Sequence, residues 1–432
     1  MQAGCTFESS QAPCLATGCR VKITTMQSKL ISVDQARQRI TDAVGLLSPR
    51  RTDLAAAQNR VLAEPLVADM DFPPFDRSLM DGYAVRAADL NGSKTTLRII
   101  GEIAAGQPPN LTVSEGQAAS IMTGAPIPDG TDAVVPIEQA VVHHDRLTIT
   151  KEIQPGLFIM PRGGEAKQDQ RILEAGVVLG PAQLAVAAAV GSANPSVYPS
   201  PGVTIIATGD ELVGADATPG PSQIRNTNIY SLTAQARQMG CRVKDLGIIS
   251  DNAETLEAAI STGLRDDLLL ICGGASVGRY DLVPALLKQL GVERIVEKVA
   301  VRPGKPLCFG RLAEHYVFAL PGNPVSTFVC FALFVAPVIR KMTGNVNLYD
   351  SKISASLSGP MAAVGPRQTY WPGELTCHCQ RQKPFSITPL PWVGSGDLFT
   401  LARANALIER APHAPAASLE DLVEVLPFNA IA

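Results

Sequence analysis

From 201 to 344 the chain alternates short apolar runs with segments of helical periodicity, and this constrains the fold more than any other feature. The run Val203-Thr204-Ile205-Ile206-Ala207-Thr208 has the length and β-branching of a strand buried on both faces. A helix is expected over 229–239, stopped by Gly240, then a strand over 243–249, a helix over 253–264 and a strand over 268–272. A helix over 282–290, a strand near 295–299 and a helix after Pro324 complete the pattern. Such repeats dictate parallel pairing, because each crossover helix carries the chain back to the edge where the previous strand began. The expected fold class is a multidomain α/β chain around a doubly wound parallel sheet covered on both faces.

The flanks follow other rhythms. Ser32-Val33-Asp34-Gln35 has the form of a capping box, with Ala36, Ile40, Val44 and Leu47 at helical spacing up to Pro49. A second helix is expected over 51–62. Phe72-Pro73-Pro74-Phe75-Asp76 reads as a rigid elbow, since two prolines forbid helix continuation. Short β-type runs dominate from 95 to 150, and helical character returns at 183–190. The domains expected are therefore a discontinuous helical domain at 27–80 and 160–200, interrupted by a β-rich insert at 81–159. The α/β domain follows at 201–345, with an all-β, barrel-like domain at 346–432. Residues 1–26 read as a disordered extension.

Composition narrows the function. The 432 residues carry 37 basic and 40 acidic side chains, a net charge of −3, so no global positive field recruits nucleic acid or an anionic membrane. A hydrophobic share of 46% supplies real cores. Nine scattered cysteines, an odd number, are not a disulfide framework and suit a reducing cytoplasm. Cys377-His378-Cys379 lacks the spacer of a zinc site. The first 25 residues contain no apolar signal core, and the longest apolar stretch, 325–339, is shorter than the ~20 residues that span a bilayer.

In an open α/β sheet, ligands collect beyond the carboxyl ends of the strands, at helix N-termini. Five segments fall there: Gly209-Asp210-Glu211, Asp251-Asn252, the loop from Gly273 and Gly274 through Ser276 to Gly278, Arg302-Pro303-Gly304-Lys305-Pro306, and Pro321-Gly322-Asn323-Pro324-Val325-Ser326. Glycine lets backbone N–H groups approach an anion, and Arg302 and Lys305 add positive charge. Glu211, Asp251 and Asp281 would gather carboxylates beside that anion, which is how Mg²⁺ is held against a phosphate. Singly, a Gly-Gly pair is a turn and an Asp at a helix start is a cap. Five such loops on one sheet edge point to a site.

Familiar nucleotide motifs fit poorly. Gly273 to Gly278 has P-loop spacing, but Arg279 and Tyr280 replace its lysine and its small hydroxyl residue. The loop has no Gly-x-Gly-x-x-Gly for a nicotinamide cofactor, and Ser276 has no obvious histidine partner among the five histidines.

Asp76-Arg77-Ser78-Leu79-Met80-Asp81-Gly82-Tyr83-Ala84-Val85 resembles the Met-Asp-Gly-Tyr-Ala-Val block of the molybdopterin molybdenumtransferase family, the MoeA type to which the C-terminal domain of gephyrin is related. Ile121-Met122-Thr123-Gly124-Ala125-Pro126, Thr208-Gly209-Asp210-Glu211-Leu212, the Gly-Gly-x-Ser-Val-Gly loop, Pro-Gly-Lys-Pro and Pro-Gly-Asn-Pro-Val-Ser follow in family order. So does Ser395-Gly396-Asp397 with Leu401-Ala402-Arg403-Ala404-Asn405. The resemblance spans about 28–428.

The resemblance implies a molybdopterin-binding central domain and a late step of molybdenum cofactor synthesis. Adenylylated molybdopterin and molybdate would be the substrates, Mg²⁺ the cofactor, and AMP a product. It maps functional positions onto Asp81, Thr123, Glu211, Asp251, Asp281, Lys305, Pro321 and Pro324, the two prolines shaping a loop. It also implies a homodimer whose cleft joins the α/β domain of one subunit to the helical and insert domains of the other. Other cofactor-synthesis proteins or molybdoenzyme apoproteins would be further partners. The family's Arg-Gly-Glu-Asp segment is Gly163-Gly164-Glu165-Ala166 here, leaving Glu165 or Asp169 as substitutes, and Arg302 stands where lysine is usual. A non-catalytic scaffold and a molybdopterin adenylyltransferase are the competing readings.

Overall fold

A computed structural model describes residues 30–90, 94–274, 282–378 and 384–428; the extension at 1–26 and the positions Ser276, Gly278 and Asp281 lie outside them. Helix α1 (Val33–Asp42) opens with the expected capping box: Ser32 accepts from the Gln35 N–H and the Gln35 side chain accepts from the Ser32 N–H. It ends at Asp42 instead of running on to Pro49. Val44 is nevertheless buried, and the Leu47 N–H reaches the Met342 carbonyl at 2.8 Å. The apolar spacing recorded burial beyond the helix end.

The helix expected over 51–62 does not form. Arg50–Arg51 pairs with Ser196–Val197, Leu54–Ala56 is a single 3-10 turn capped by Asp53, and Asn59 adopts φ +59°. The N–H groups of Asn59 and Leu62 go to the carbonyls of Leu179 and Val177, so long-range partners replace a local ladder. Helix α2 (Pro181–Ala189) and two more short pairings, Leu66–Val67 with Arg171–Leu173 and Arg77–Ser78 with Ile159–Met160, join the two halves of this unit. Between them lies a six-stranded sheet. Its spatial order is Ala133–Pro136, Gly82–Val85, Gln117–Ile121, Thr95–Ile103, Arg146–Ile149, Ala140–His143.

The central domain holds strands β1 (Gly202–Thr208), β2 (Arg242–Ile249), β3 (Leu268–Cys272), β4 (Glu293–Glu297), β5 (Cys308–Leu312) and β6 (His315–Leu320) in the order β2-β1-β3-β6-β5-β4. The first four in that order are parallel, as expected, but β5 runs antiparallel to both its neighbours, β6 and β4, and makes the sheet mixed. The β5–β6 hairpin escapes the sequence pattern because its two-residue turn is Ala313-Glu314, with Ala313 at φ +52° and no glycine or asparagine to mark it.

Helices α3 (Asn228–Gln238), α4 (Ala253–Gly263), α5 (Leu282–Gln289) and α6 (Pro324–Met342, with a π-turn at Phe331–Val335) cover the sheet. Val203, Ile205 and Ala207 face α1, α3 and α6, whereas Ile206 faces α4 and α5, the alternation of a strand between two helical layers. Helix α6 is long and apolar enough to cross a membrane by composition, but its most apolar stretch is 78% buried inside the protein as a core helix.

The C-terminal strands close into a five-stranded barrel: Gln368–Cys377, Phe385–Pro389, Ile353–Leu357, Leu422–Pro427 and Ala406–Arg410, which returns to the first. Val301–Arg302 adds to the first strand in parallel, so the barrel grips the central domain beside its ligand-facing edge. Helix α7 (Leu398–Arg403) packs on the same side, and Tyr370, Leu401 and Leu426 share one core with the central sheet and α6.

Candidate active site

The sheet reverses direction of growth between β1 and β3: β2 lies on one side of β1, and the chain returns to add β3 on the other. At such a switch point the loops separate and leave a crevice. A cleft of about 740 Å³ opens there, lined by Thr208, Gly209, Glu211, Asn228, Asp251, Gly273, Gly274, Arg302, Lys305, Pro321, Gly322, Asn323, Ser326, Arg367, Trp392 and Ser395 among others.

Ten of the residues singled out from the sequence therefore meet: Glu211, Asp251, Gly273, Gly274, Arg302, Lys305, Pro321, Gly322, Asn323 and Ser326. Pro324 stands just behind them, in the first turn of α6, where its fixed φ and missing N–H suit a helix start. Asp81 and Thr123 do not line the cleft. They form a separate pair on the insert domain, the Thr123 N–H donating to Asp81 Oδ1 at 2.7 Å.

The acidic residues are held for a purpose other than capping. At the start of α4 it is Asn252 that caps, accepting from the N–H groups of Glu254 and Thr255. Asp251 is left facing the cleft, its Oδ1 accepting from the Thr208 hydroxyl. Its own N–H donates to Asp210 Oδ1 at 3.1 Å. The Glu211 carboxylate folds back over Gly209, whose φ of +150° and bare α-carbon make room: a Cβ there would lie 2.7 Å from both carboxylate oxygens. Gly273 meets the same demand. At φ +101°, its Cβ would sit 2.1 Å from the Thr208 carbonyl oxygen.

Cations arrive from two directions. Arg302 comes from the strand that adds to the barrel, and Arg367 directly precedes its partner strand, with Nη1 reaching the Val301 carbonyl at 3.4 Å. The Arg302 guanidinium lies 5.7 Å from the Trp392 ring centroid, which restricts it without neutralising it. Lys305 completes the group. Cys272 also lines the cleft, but burial pushes its thiol up to about 11, so it is protonated near neutral pH and is no nucleophile.

Arg367, Trp392 and Asn228 were not read from the sequence as site residues. Arg367 and Trp392 belong to the C-terminal barrel domain, outside the strand-to-helix loops of the central sheet, so no local pattern marks them. Ser395 was legible only as part of a matching block. Among the described residues no cluster of three or more metal-ligating side chains occurs. Cys377 is exposed, and His378 shares a hydrogen bond with Ser386 at 2.8 Å.

Comparison with known proteins identifies the domains. The MoeA N-terminal region (domains I and II) matches residues 31–191, the "Probable molybdopterin binding domain" matches 204–341, and the MoeA C-terminal region (domain IV) matches 354–428. A molybdopterin molybdenumtransferase of Nostoc is 37% identical over 82% of this chain and 83% of its own length. One from Staphylococcus aureus is 32% identical over 88% and 91%. The crystal structure of the molybdopterin biosynthesis MoeA protein of Pyrococcus horikoshii superposes with a TM-score of 0.78 at 29% identity, covering 93% of this chain and all of that one. The chain thus belongs to the molybdopterin molybdenumtransferase family.

Proposed function

We propose that the cleft inserts molybdenum from molybdate into adenylylated molybdopterin and releases AMP, as a transferase of molybdenum cofactor biosynthesis. The observation that carries this reading is the meeting of three cations, two carboxylates and glycine-bearing loops in one cleft at the switch point of the sheet. Arg302, Lys305 and Arg367 suit a compact oxyanion, and Ser326 in the first turn of α6 adds a hydroxyl donor. Cleaving a pyrophosphate bond leaves negative charge on the departing phosphate oxygen, which the same cations stabilise.

Glu211 and Asp251 fit a Mg²⁺ ion, because this ion is commonly held by one or two carboxylates together with substrate phosphates. When bound, it would neutralise phosphate charge. Asp81 and Thr123 reach a cleft only if a second copy supplies them. Exposed Phe75, Leu79 and Met122 around that pair form an apolar surface suited to such contact. A cytoplasmic homodimer is the form this reading requires.

Purified protein incubated with adenylylated molybdopterin, molybdate and Mg²⁺ should release AMP and yield cofactor that activates an apo-molybdoenzyme. AMP release that ignores molybdate would sink the reading.

A further inference from the structure

Asn228, the first residue of α3, lines the cleft and is 8% exposed. Its backbone N–H is taken by Asn226 Oδ1 at 3.2 Å. Its Nδ2 donates to the Gly322 carbonyl at 2.6 Å. That contact fixes the orientation of the amide, since the reverse would set two acceptor oxygens against each other. Among the described residues Oδ1 is then buried with no hydrogen-bond partner. A carbonyl oxygen removed from water without a donor is destabilising, and such atoms persist in native proteins chiefly where a ligand or ordered water completes them.

We propose that Asn228 is a specificity-determining residue whose Oδ1 accepts a hydrogen bond from an N–H or O–H of the organic substrate. The inference rests on the cleft being the seat of adenylylated molybdopterin. Molybdate carries no proton at neutral pH and is repelled by an amide oxygen, so Asn228 marks a part of the cleft where the oxyanion does not sit. The groups able to donate are the amine and ring N–H of the pterin, or the amine and ribose hydroxyls of the adenosine. Asn228 thus separates the organic part of the substrate from the anion, which Arg302, Lys305 and Arg367 attract.

A merely structural role would make Asn228 a prop for the Gly322 loop, and the two roles have different signatures. Affinities for molybdate alone, AMP alone and molybdopterin alone are measured by calorimetry on wild type, Asn228→Leu and Asn228→Ser. Removing one hydrogen bond should weaken one organic probe by about tenfold while molybdate affinity stays within about twofold. A loss confined to AMP assigns the donor to the nucleoside, and one confined to molybdopterin assigns it to the pterin. A parallel fall for molybdate and the organic probes reveals a loop prop and overturns the inference, as do unchanged affinities throughout. If Asn228→Leu fails to fold, Asn228→Ser, whose hydroxyl can still donate toward Gly322, carries the same comparison. A wild type that binds none of the three probes refutes the reading of the cleft itself, which is a different failure from wild-type binding that the variants retain.

Discussion

Asn323 donates from Nδ2 to Ser395 Oγ at 2.7 Å, and two residues on, the Val325 N–H reaches the Ser395 carbonyl at 3.0 Å. The loop at the head of α6 is therefore fastened to the barrel at the cleft itself. Asn323→Ala should leave the fold intact and raise KM for molybdate about three- to tenfold, with a smaller change in kcat, because one positioning hydrogen bond is lost. Steady-state kinetics checks this; an unchanged KM would show that the barrel contact is incidental.

Asp251 offers a cleaner test of charge. Asp251→Asn keeps an oxygen able to accept from the Thr208 hydroxyl and leaves the Asn252 cap untouched. Melting temperature should stay close to wild type while turnover falls about a hundredfold, and added Mg²⁺ should stabilise the variant less than the wild type. Wild-type turnover would remove Asp251 from the site.

The placement of Asp81 predicts complementation between copies. Asp81→Ala and Glu211→Ala variants should each be inactive alone. If two copies share each cleft, random mixing after mild dissociation should restore about a quarter of wild-type activity, from mixed dimers with one intact site. No recovery, with mixed dimers shown to form, would place Asp81 outside the reaction.

Asp397 caps α7, and its carboxyl is held below the usual carboxylate range first by the Thr400 hydroxyl and then by the N–H groups of Thr400 and Val393. A depressed folded-state pKa contributes stability above the ordinary carboxylate range, and this is lost as pH falls through the lowered value. Acid titration of melting temperature should therefore fall less steeply below pH 4 in Asp397→Asn than in wild type. Ser395 lies between Val393 and Asp397, so molybdate affinity should weaken in the same variant. Parallel acid profiles would contradict this account.

Burial of the Cys272 thiol predicts slow chemistry. Cys272→Ser should keep turnover within about threefold of wild type, and alkylation of Cys272 should be slow at pH 7 and rise with pH until it levels off near 11. Mass spectrometry after iodoacetamide treatment measures it; rapid modification at pH 7 would show a thiolate the geometry does not support.

Local sequence was enough wherever a segment's neighbours in space are also its neighbours in the chain. The β1–α3–β2–α4–β3 succession was legible because each element buries an apolar face of regular period, and Gly240 and Asn252 punctuate it. The loops at the carboxyl ends of those strands followed from the same pattern, so Glu211, Asp251, Gly273, Arg302 and Lys305 could be gathered at one edge. Where long-range hydrogen bonds outweigh local preference, local sequence misleads: the N–H groups of Thr52, Leu54, Asn59 and Leu62 go to carbonyls of Pro195, Ala193, Leu179 and Val177, and the Ala313-Glu314 turn has no glycine or asparagine to mark it.

What the chain determined unaided is the central layer and the chemistry of its rim, because periodicity and loop composition are local properties. Only tertiary structure decided that Arg367, Trp392 and Ser395 would close the cleft, that Asn228 would present an oxygen unpaired among the described residues, and that Asp81 would stand apart. Those facts depend on which distant surfaces meet when the barrel and the sheet bury a common core, and no local period encodes that meeting.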